Sequence, residues 1–352
     1  MEIINNDKNI PNMDYVKNIH VKTTDSGHIQ GIAIDRDRKY MYCSFTTEFI
    51  KFDMEGNKVA SVKGLCGHLG CIAYNYEDGK VYGSLEFKHD CIGKGILDHL
   101  DNVEIEDGFY IVTFDVDKMT ELDMDAETSG VMKAVFLKEV TDDYTNKRYG
   151  TSGIDGTTFA PMIGTKNGKK YLYVAYGIYS DLNRNDNDAQ VILQYDISDW
   201  DKYAMSLNQK EMHRNGPERP NNKYFVYTGN TNFGIQNLEY DPYTGYLFAC
   251  VYKGQKEKFP NYKLFVFDAT RETYLDKSPD CDEQVEYIHL VKIGEHKDNI
   301  YGYYFGFGST GLASLGDGYY YISHEKDDWK ERIFESNITL YKWDSVSPFT
   351  KA

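Results

Sequence analysis

Five stretches of the chain share one ending and decide the fold. Each is a short apolar or aromatic run that stops at an aspartate. Such an aspartate can accept hydrogen bonds from backbone N–H groups of the turn that follows, so we expect all five to be structural. The repetition predicts five copies of one β-strand. The stretches are Phe49–Asp53 (FIKFD), Ile111–Asp115 (IVTFD), Ile192–Asp196 (ILQYD), Leu264–Asp268 (LFVFD) and Thr339–Asp344 (TLYKWD).

A hairpin precedes each of these stretches. It starts with a glycine-rich segment and a short apolar run, then passes through a polar turn such as Glu77–Gly79 into a tyrosine-rich run. Short runs joined by turn residues are typical of antiparallel strand pairs. A fourth run closes four of the copies, at residues 59–62, 134–137, 224–227 and 287–291. The hairpins begin near residues 28, 68, 153, 234 and 308.

The missing fourth strand of the last copy stands at the other end of the chain. Residues 15–22 have the pattern of a fourth strand and come directly before the first hairpin. Radial repetition of four-stranded units, closed by pairing the two ends, predicts a five-bladed β-propeller formed by residues 1–352 as one domain. Seven blades of about 50 residues would need more aspartate runs than there are, and a two-sheet sandwich would not repeat one strand order.

Composition limits the classes of function. The 352 residues carry 39 basic and 55 acidic side chains, a net charge of −16, which argues against nucleic acid and anionic membrane as partners. No apolar run is long enough to span a membrane and the N-terminal stretch does not resemble a secretion signal, so we expect a cytoplasmic protein. The six cysteines form no C-x-x-C pair, which favours reduced thiols. No phosphate-binding or dinucleotide motif is present, so no nucleotide cofactor is expected.

The loops between second and third strands point to a site at one mouth of the central channel. These loops are long in four copies, at residues 86–108, 177–189, 253–262 and 325–336. We expect them to form the wall of a pocket at this mouth; the alternative is that they are surface loops without a function. Polar residues at the strand ends converge on this mouth. The candidate catalytic carboxylates are Glu86, Asp155 and Glu325; the candidate metal ligands are His28, His68 and His324; the candidate substrate contacts are Gln30, Tyr176, Tyr179, Gln236, Asn237, Tyr252 and Thr310.

Three interpretations follow. In the first, a divalent metal such as zinc, manganese or iron is held by His28, His68 and either His324 or Glu86. In the second, carboxylates act as acid and base without a metal. In the third, the pocket or rim binds a small molecule, a cation or a protein without catalysis. Residues 180–188 (SDLNRNDND) supply oxygens that calcium accepts, although a solvated acidic loop explains them as well.

In blade number the chain resembles five-bladed propeller glycosidases of the arabinanase and fructosidase type. The resemblance implies cleavage of a glycosidic bond by two carboxyl groups with tyrosines as sugar platforms. Those glycosidases bring an aspartate of the first blade to the axis, where this chain has His28 and Gln30. We therefore expect an enzyme acting on a small polar substrate, sugar-like or carboxylated, by hydrolysis, elimination or isomerisation with or without a divalent metal. The alternative is a binding propeller for a small ligand or protein; nothing in the sequence indicates an oligomeric state.

Overall fold

The computed structural model describes residues 15–97 and 106–352, and its strands form the five-bladed β-propeller that the repeats predict. Strand β1 (Asn18–Thr24) is followed by blade one: β2 (Ile29–Ile34), β3 (Tyr40–Phe45), β4 (Glu48–Asp53) and β5 (Lys58–Lys63). Blade two contains β6 (His68–Asn75), β7 (Lys80–Phe87), β8 (Gly108–Phe114) and, after the short strand β9 (Met124–Asp125), β10 (Met132–Phe136). Blade three contains β11 (Thr151–Pro161), β12 (Lys170–Ile178), β13 (Ala189–Tyr195) and β14 (Asn222–Tyr227).

The remaining strands build blades four and five. Blade four contains β15 (Asn232–Asp241), β16 (Tyr246–Tyr252) and β17 (Leu264–Asp268), followed by the short strands β18 (Tyr274–Lys277), β19 (Gln284–Tyr287), β20 (Glu295–Lys297) and β21 (Ile300–Gly302). Blade five contains β22 (Leu312–Ser314), β23 (Tyr319–Asp328), β24 (Ile333–Trp343) and β25 (Phe349–Lys351). The helices are α1 (Cys91–Leu97), α2 (Lys138–Thr145) and two 3₁₀ turns, Arg148–Gly150 and Trp200–Lys202. In the part of the chain that the structure describes, no helix has the length and apolar character needed to cross a bilayer.

The first described strand closes the ring, as predicted. β1 runs antiparallel to β24, from Asn18 opposite Thr339 to Thr24 opposite Ile333. Its side chains alternate between exposed and buried, and Ile19 and Val21 enter the core. This alternation is what a strand with one buried face requires.

Blade four differs from the prediction at its outer edge. The run at 287–291 is split: β19 pairs in parallel with β14 of blade three, whereas Leu290 and Tyr303 each form one bridge to β17. The ring of Tyr287 packs 5.7 Å from that of Phe225 in blade three and is buried there. Burial of this large ring explains why the segment leaves its own blade.

The hydrophobic core lies between the blades. Five clusters of buried side chains occur among the described residues, and each joins two neighbouring blades. Phe49 of blade one stacks on Phe114 of blade two with the ring centroids 4.0 Å apart, and Phe248 meets Tyr320 edge-on across blades four and five. Large rings fill the wedge between twisted sheets, which accounts for the tyrosine-rich runs.

Four of the five repeated aspartates accept backbone N–H groups of the next turn, as expected. Asp53 accepts from Asn57 at 2.8 Å, Asp196 from Ser198 at 3.0 Å and Asp344 from Val346 at 2.8 Å. Asp268 accepts from Thr270 at 3.1 Å. Asp115 instead forms an ion pair with Lys118 at 2.7 Å. These aspartates hold turns and belong to the scaffold.

Candidate functional site

A cavity of about 690 Å³ opens at one mouth of the central channel. All five blades contribute to its wall, mostly from the ends of the innermost and second strands, where the sequence places the candidate residues. Of the four long insertions, those at 86–108 and 325–336 line it, through Ile96 and through Trp329 and Arg332 respectively. The predicted residues in the wall are Gln30, His28, His68, Glu86, Asp155, Gln236 and Tyr252.

The innermost strands aim their polar side chains by means of β-bulges. In the pairing of β2 with β3, Gln30 has no partner in the register, and Gln236 has none in the pairing of β15 with β16. The pairing of β11 with β12 shifts its register between Ile154 and Thr157. A bulge adds one residue to a strand and redirects its side chain. The same kind of irregularity in blades one, three and four therefore turns Gln30, Asp155 and Gln236 toward the axis.

A buried ion pair lies on the floor of the cavity. His68 and Glu86 are cross-strand partners of β6 and β7, and Lys88 follows two residues after Glu86, which is the spacing of one strand face. The ammonium of Lys88 pairs with Glu86, lies 3.6 Å from Asp90 and donates to the carbonyl of Ser152 at 2.8 Å. Burial alone would lower the pKa of Lys88, but the surrounding carboxylates raise it, so Lys88 is cationic.

The backbone of blade three holds the other side of Glu86. Its Oε2 accepts the N–H of Ile154 at 3.0 Å. The neighbouring Gly153 has φ +130°, and a Cβ there would collide with this carboxylate. A residue without a side chain is therefore required at position 153. Burial raises the pKa of Glu86, while Lys88 and the Ile154 amide oppose that shift.

Asp155 is a buried carboxyl group whose surroundings favour its protonated form. It is 7% exposed, and its Oδ2 accepts from Nε2 of Gln236 at 3.0 Å. Burial raises the pKa of Asp155 well above its ordinary value, and the negative charge of Glu86 raises it further. Lys88 and Gln236 counteract only part of this shift. A carboxylic acid that stays protonated at neutral pH is a typical general acid.

His68 lies between the two carboxyl groups in its neutral form. Its Nδ1 is 3.6 Å from Oε1 of Glu86 and 3.8 Å from Oδ1 of Asp155, and it has no hydrogen-bond partner among the described residues. Burial lowers the pKa of His68 to about 3, and the positive charge of Lys88 contributes. A neutral imidazole can accept a proton, which makes His68 a candidate base.

The predicted set of three histidines does not form one metal site. His28 contacts Glu325, with 3.2 Å between Nδ1 and Oε2, while His68 lies with Glu86 and Asp155. The ring of His324 stacks on Tyr341 and its Nε2 meets the Tyr341 hydroxyl at 2.9 Å. Among the described residues, one group places His, Asp and Glu ligand atoms within 4.8 Å of one another: His28, Glu325 and Asp327. Burial and the Glu325 carboxylate raise the pKa of Asp327 to about 6.

The oxygens that resembled a calcium loop bind a lysine instead. The ammonium of Lys256 is buried against the carboxylate of Asp188, Oδ1 of Asn187 at 2.7 Å and the carbonyl of Arg184 at 2.6 Å. Asp186 pairs with Arg184. A protein cation thus occupies the position that the sequence suggested for a metal.

Several predicted substrate contacts lie outside the cavity wall. Tyr176 is fully buried and donates to Asp143 at 2.7 Å, and Tyr179 donates to Asp90 at 2.8 Å. Asn237 ties the blades together at the axis by donating to the carbonyl of Gln30 at 2.8 Å. Thr310 is buried and bonds Ser323 at 3.3 Å. These four residues form hydrogen bonds within the protein and are not part of the cavity wall.

Sequence reasoning missed Lys88, Trp329, Phe233 and Phe334, all of which line the cavity. Lys88 could have been found from its position two residues after Glu86 on the same strand face. Trp329 stands at the tip of the β23–β24 hairpin, 65% exposed, with its ring 4.9 Å from that of Phe334. Arg332 of this hairpin pairs with Asp25, the residue that directly follows β1, at 2.5 Å, so the hairpin is held to the end of β1.

Comparisons with known proteins give only distant structural likenesses. No family model matches the chain, and no curated protein matches it. The pyranose dehydrogenase PQQ domain from Coprinopsis cinerea is 11% identical, with a TM-score of 0.39 over 88% of this chain and 81% of that one. The family AA12 carbohydrate-active enzyme from Trichoderma reesei is 9% identical, with a TM-score of 0.41 over 87% and 80%. The arabinanase Arb43A from Bacillus subtilis is 11% identical, with a TM-score of 0.39 over 92% and 98%. These identities and TM-scores are too low to support an inference about the function of this chain.

Proposed function

We propose that the protein is an enzyme that transfers protons at a carbon–oxygen bond of a small, uncharged, sugar-like substrate held in the cavity. One observation carries the proposal: the buried Asp155 carboxyl and the neutral His68 imidazole lie side by side on the cavity floor, 3.8 Å apart. Two titratable groups whose surroundings fix different protonation states form the usual acid–base pair of an active site. Hydrolysis of a carbon–oxygen bond uses such a pair.

In the proposed reaction Asp155 is the acid. Its protonated carboxyl donates to the leaving oxygen of the substrate, and its Oδ2 stays oriented by Gln236. His68 accepts a proton at Nδ1 from the attacking water, since that nitrogen has no partner among the described residues. The buried Lys88 ammonium stabilises negative charge that develops nearby.

The wall of the cavity supports an uncharged, hydroxylated substrate. Trp329, Phe233 and Tyr252 offer aromatic faces, and the side-chain amides of Gln30 and Gln236 offer hydrogen bonds. An aromatic surface with a few polar groups is typical of small-ligand sites. The cationic side chains of the wall already have anionic partners: Lys88 has Glu86 and Asp90, and Arg332 has Asp25. A carboxylated substrate would therefore have to compete with these partners.

The proposal is tested in two steps with full-length protein. Neutral mono- and disaccharides and the matching uronic acids are first screened by calorimetric titration, and neutral sugars should bind more tightly. Turnover of the best ligand is then compared in Asp155→Asn and in Asp37→Asn, an exposed aspartate of an outer turn. Asp155→Asn should lower kcat by about 10²-fold or more while Asp37→Asn leaves it unchanged.

The same experiment decides between catalysis and binding. If a sugar binds and is recovered unchanged, the cavity is a binding site and the enzyme proposal is wrong. If the sugar is converted equally fast by Asp155→Asn, that residue is not the acid. Preferential binding of uronic acids would overturn the choice of an uncharged substrate.

A further inference from the structure

Three side chains at the rim of the cavity form a group of a different kind from the acid–base pair. His28 precedes β2 in blade one, while Glu325 and Asp327 lie two residues apart on β23 and so project from the same face of that strand. One ligand atom from each lies within 4.8 Å of the others. The group is thus assembled from two blades, as binding sites of propellers are.

The two carboxylates of this group have little to balance their charge. Among the described residues no lysine or arginine forms an ion pair with either of them; Glu325 contacts the imidazole of His28 at 3.2 Å. The nearby cations are engaged elsewhere, because Lys326 approaches Glu335 and Arg332 pairs with Asp25. Two carboxylates that repel each other at short range are stabilised by a shared cation.

A second observation concerns the carboxyl group of Asp327. Oδ1 of Asp327 is shielded from solvent and has no hydrogen-bond partner among the described residues. A buried carboxylate oxygen without a partner is costly, and an ion is one of the groups that would satisfy it.

We infer that His28, Glu325 and Asp327 bind one first-row divalent cation, such as Zn²⁺ or Mn²⁺, at the rim of the cavity. One imidazole nitrogen and two carboxylate oxygens suit these metals and leave coordination positions for water or a substrate hydroxyl. His28 also lines the cavity, so the ion would face a bound ligand from the side of blade one. The inference does not depend on the proposed reaction, whose groups Asp155 and His68 lie outside this set.

The test measures binding of the metal alone. Full-length protein without an affinity tag is stripped with chelator and titrated with ZnCl₂ and, separately, with MnCl₂ by calorimetry. One ion per chain is expected. Glu325→Gln and Asp327→Asn should each weaken binding at least about tenfold, because loss of a direct ligand costs no less than loss of an outer-shell partner. Glu331→Gln, an exposed position on the same hairpin, is the matched control and should bind like the original protein.

Two results would overturn the inference. One is the absence of stoichiometric binding for both metals. The other is binding that Asp327→Asn and His28→Ala leave unchanged, which would place the ion at another site. Thermal unfolding of each variant without metal checks that the variant is folded, so that lost binding reflects a lost ligand. Because these residues are partly exposed, their substitution should leave the unfolding temperature near that of the original protein.

Discussion

Nδ1 of His68 lies 3.8 Å from Oδ1 of Asp155 without forming a hydrogen bond to it. The two atoms belong to different blades and meet only because the innermost strands of both converge on the axis. At this separation one ligand atom beside the pair can lie within hydrogen-bond distance of both. This relationship sets the pH behaviour of the site.

Activity should depend on pH through Asp155. A general acid works while protonated, so kcat/KM should fall as pH rises through the raised pKa of Asp155. No loss attributable to His68 is expected on the acid side until pH about 3, the pKa of that imidazole. The check is a pH profile with a substrate found by the sugar screen. A loss of activity as pH falls through the ordinary histidine pKa would contradict the lowered pKa of His68.

The free energy of unfolding should also depend on pH through Asp155. Because burial raises the pKa of Asp155, the folded protein binds more protons than the unfolded chain above the ordinary carboxyl pKa. Asp155 therefore lowers the free energy of unfolding as pH rises from that value through the raised one. Asp155→Asn removes this contribution, so the variant should gain stability relative to the original protein as pH increases, measured by urea unfolding at pH 5 and pH 8. A constant difference between the two proteins would argue against the shift.

Loss of the buried cation should destabilise the fold more than loss of the whole pair. Lys88→Met leaves the Glu86 carboxylate buried without its ion-pair partner and should cost about 3–5 kcal/mol in the free energy of unfolding. Adding Glu86→Gln to Lys88→Met should recover part of that cost. Chemical denaturation of both variants provides the measurement. A double variant that is less stable than Lys88→Met would show that Glu86 is not held chiefly by Lys88.

Closure of the ring should make the first strand essential. Val21 is fully buried on β1, so Val21→Asp places an unpaired charge in the core and should lower the free energy of unfolding by about 3 kcal/mol or more. Lys22→Gln, on the exposed face of the same strand, is the control and should change it by less than about 0.5 kcal/mol. Removal of residues 1–25 should lower the unfolding temperature further. A truncated protein that melted like the full chain would show that the ring does not need β1.

Trp329 should report on ligand binding. It is 65% exposed at the edge of the cavity, so a bound sugar should change its fluorescence and Trp329→Ala should weaken binding with little effect on stability. Tyr243→Ala is the control, because Tyr243 is similarly exposed but lies in the turn at the opposite end of blade four. Equal effects of the two substitutions on affinity would remove Trp329 from the site.

Much of the cavity could be predicted from the repeat. Once the blades are aligned, Gln30, Asp155 and Gln236 occupy one position of the innermost strand, and the structure turns them toward the axis through bulges at that position. His68 and Glu86 follow from the same alignment, because they end paired strands of blade two. Local periodicity is enough to predict where such residues lie.

The alignment could not tell which polar residues face the cavity and which face a neighbouring blade. Tyr176 precedes the predicted rim loop, yet it turns into the core toward Asp143. His324 stands beside Glu325 on β23, but neighbours on a strand project to opposite faces, and only Glu325 meets His28. The partner of each side chain comes from another blade and has no fixed spacing in the sequence.

By itself, the sequence determined the number of blades, the turn aspartates and the pairing of the two chain ends, because these depend on the local alternation and turn chemistry of each repeat. Only the tertiary structure decided that the pKa of Asp155 is raised, that Lys88 pairs with Glu86 and that His28 joins Glu325 and Asp327. Protonation and ion pairing depend on burial and on charges brought within a few ångströms. The ring creates those distances between residues that are far apart in the chain.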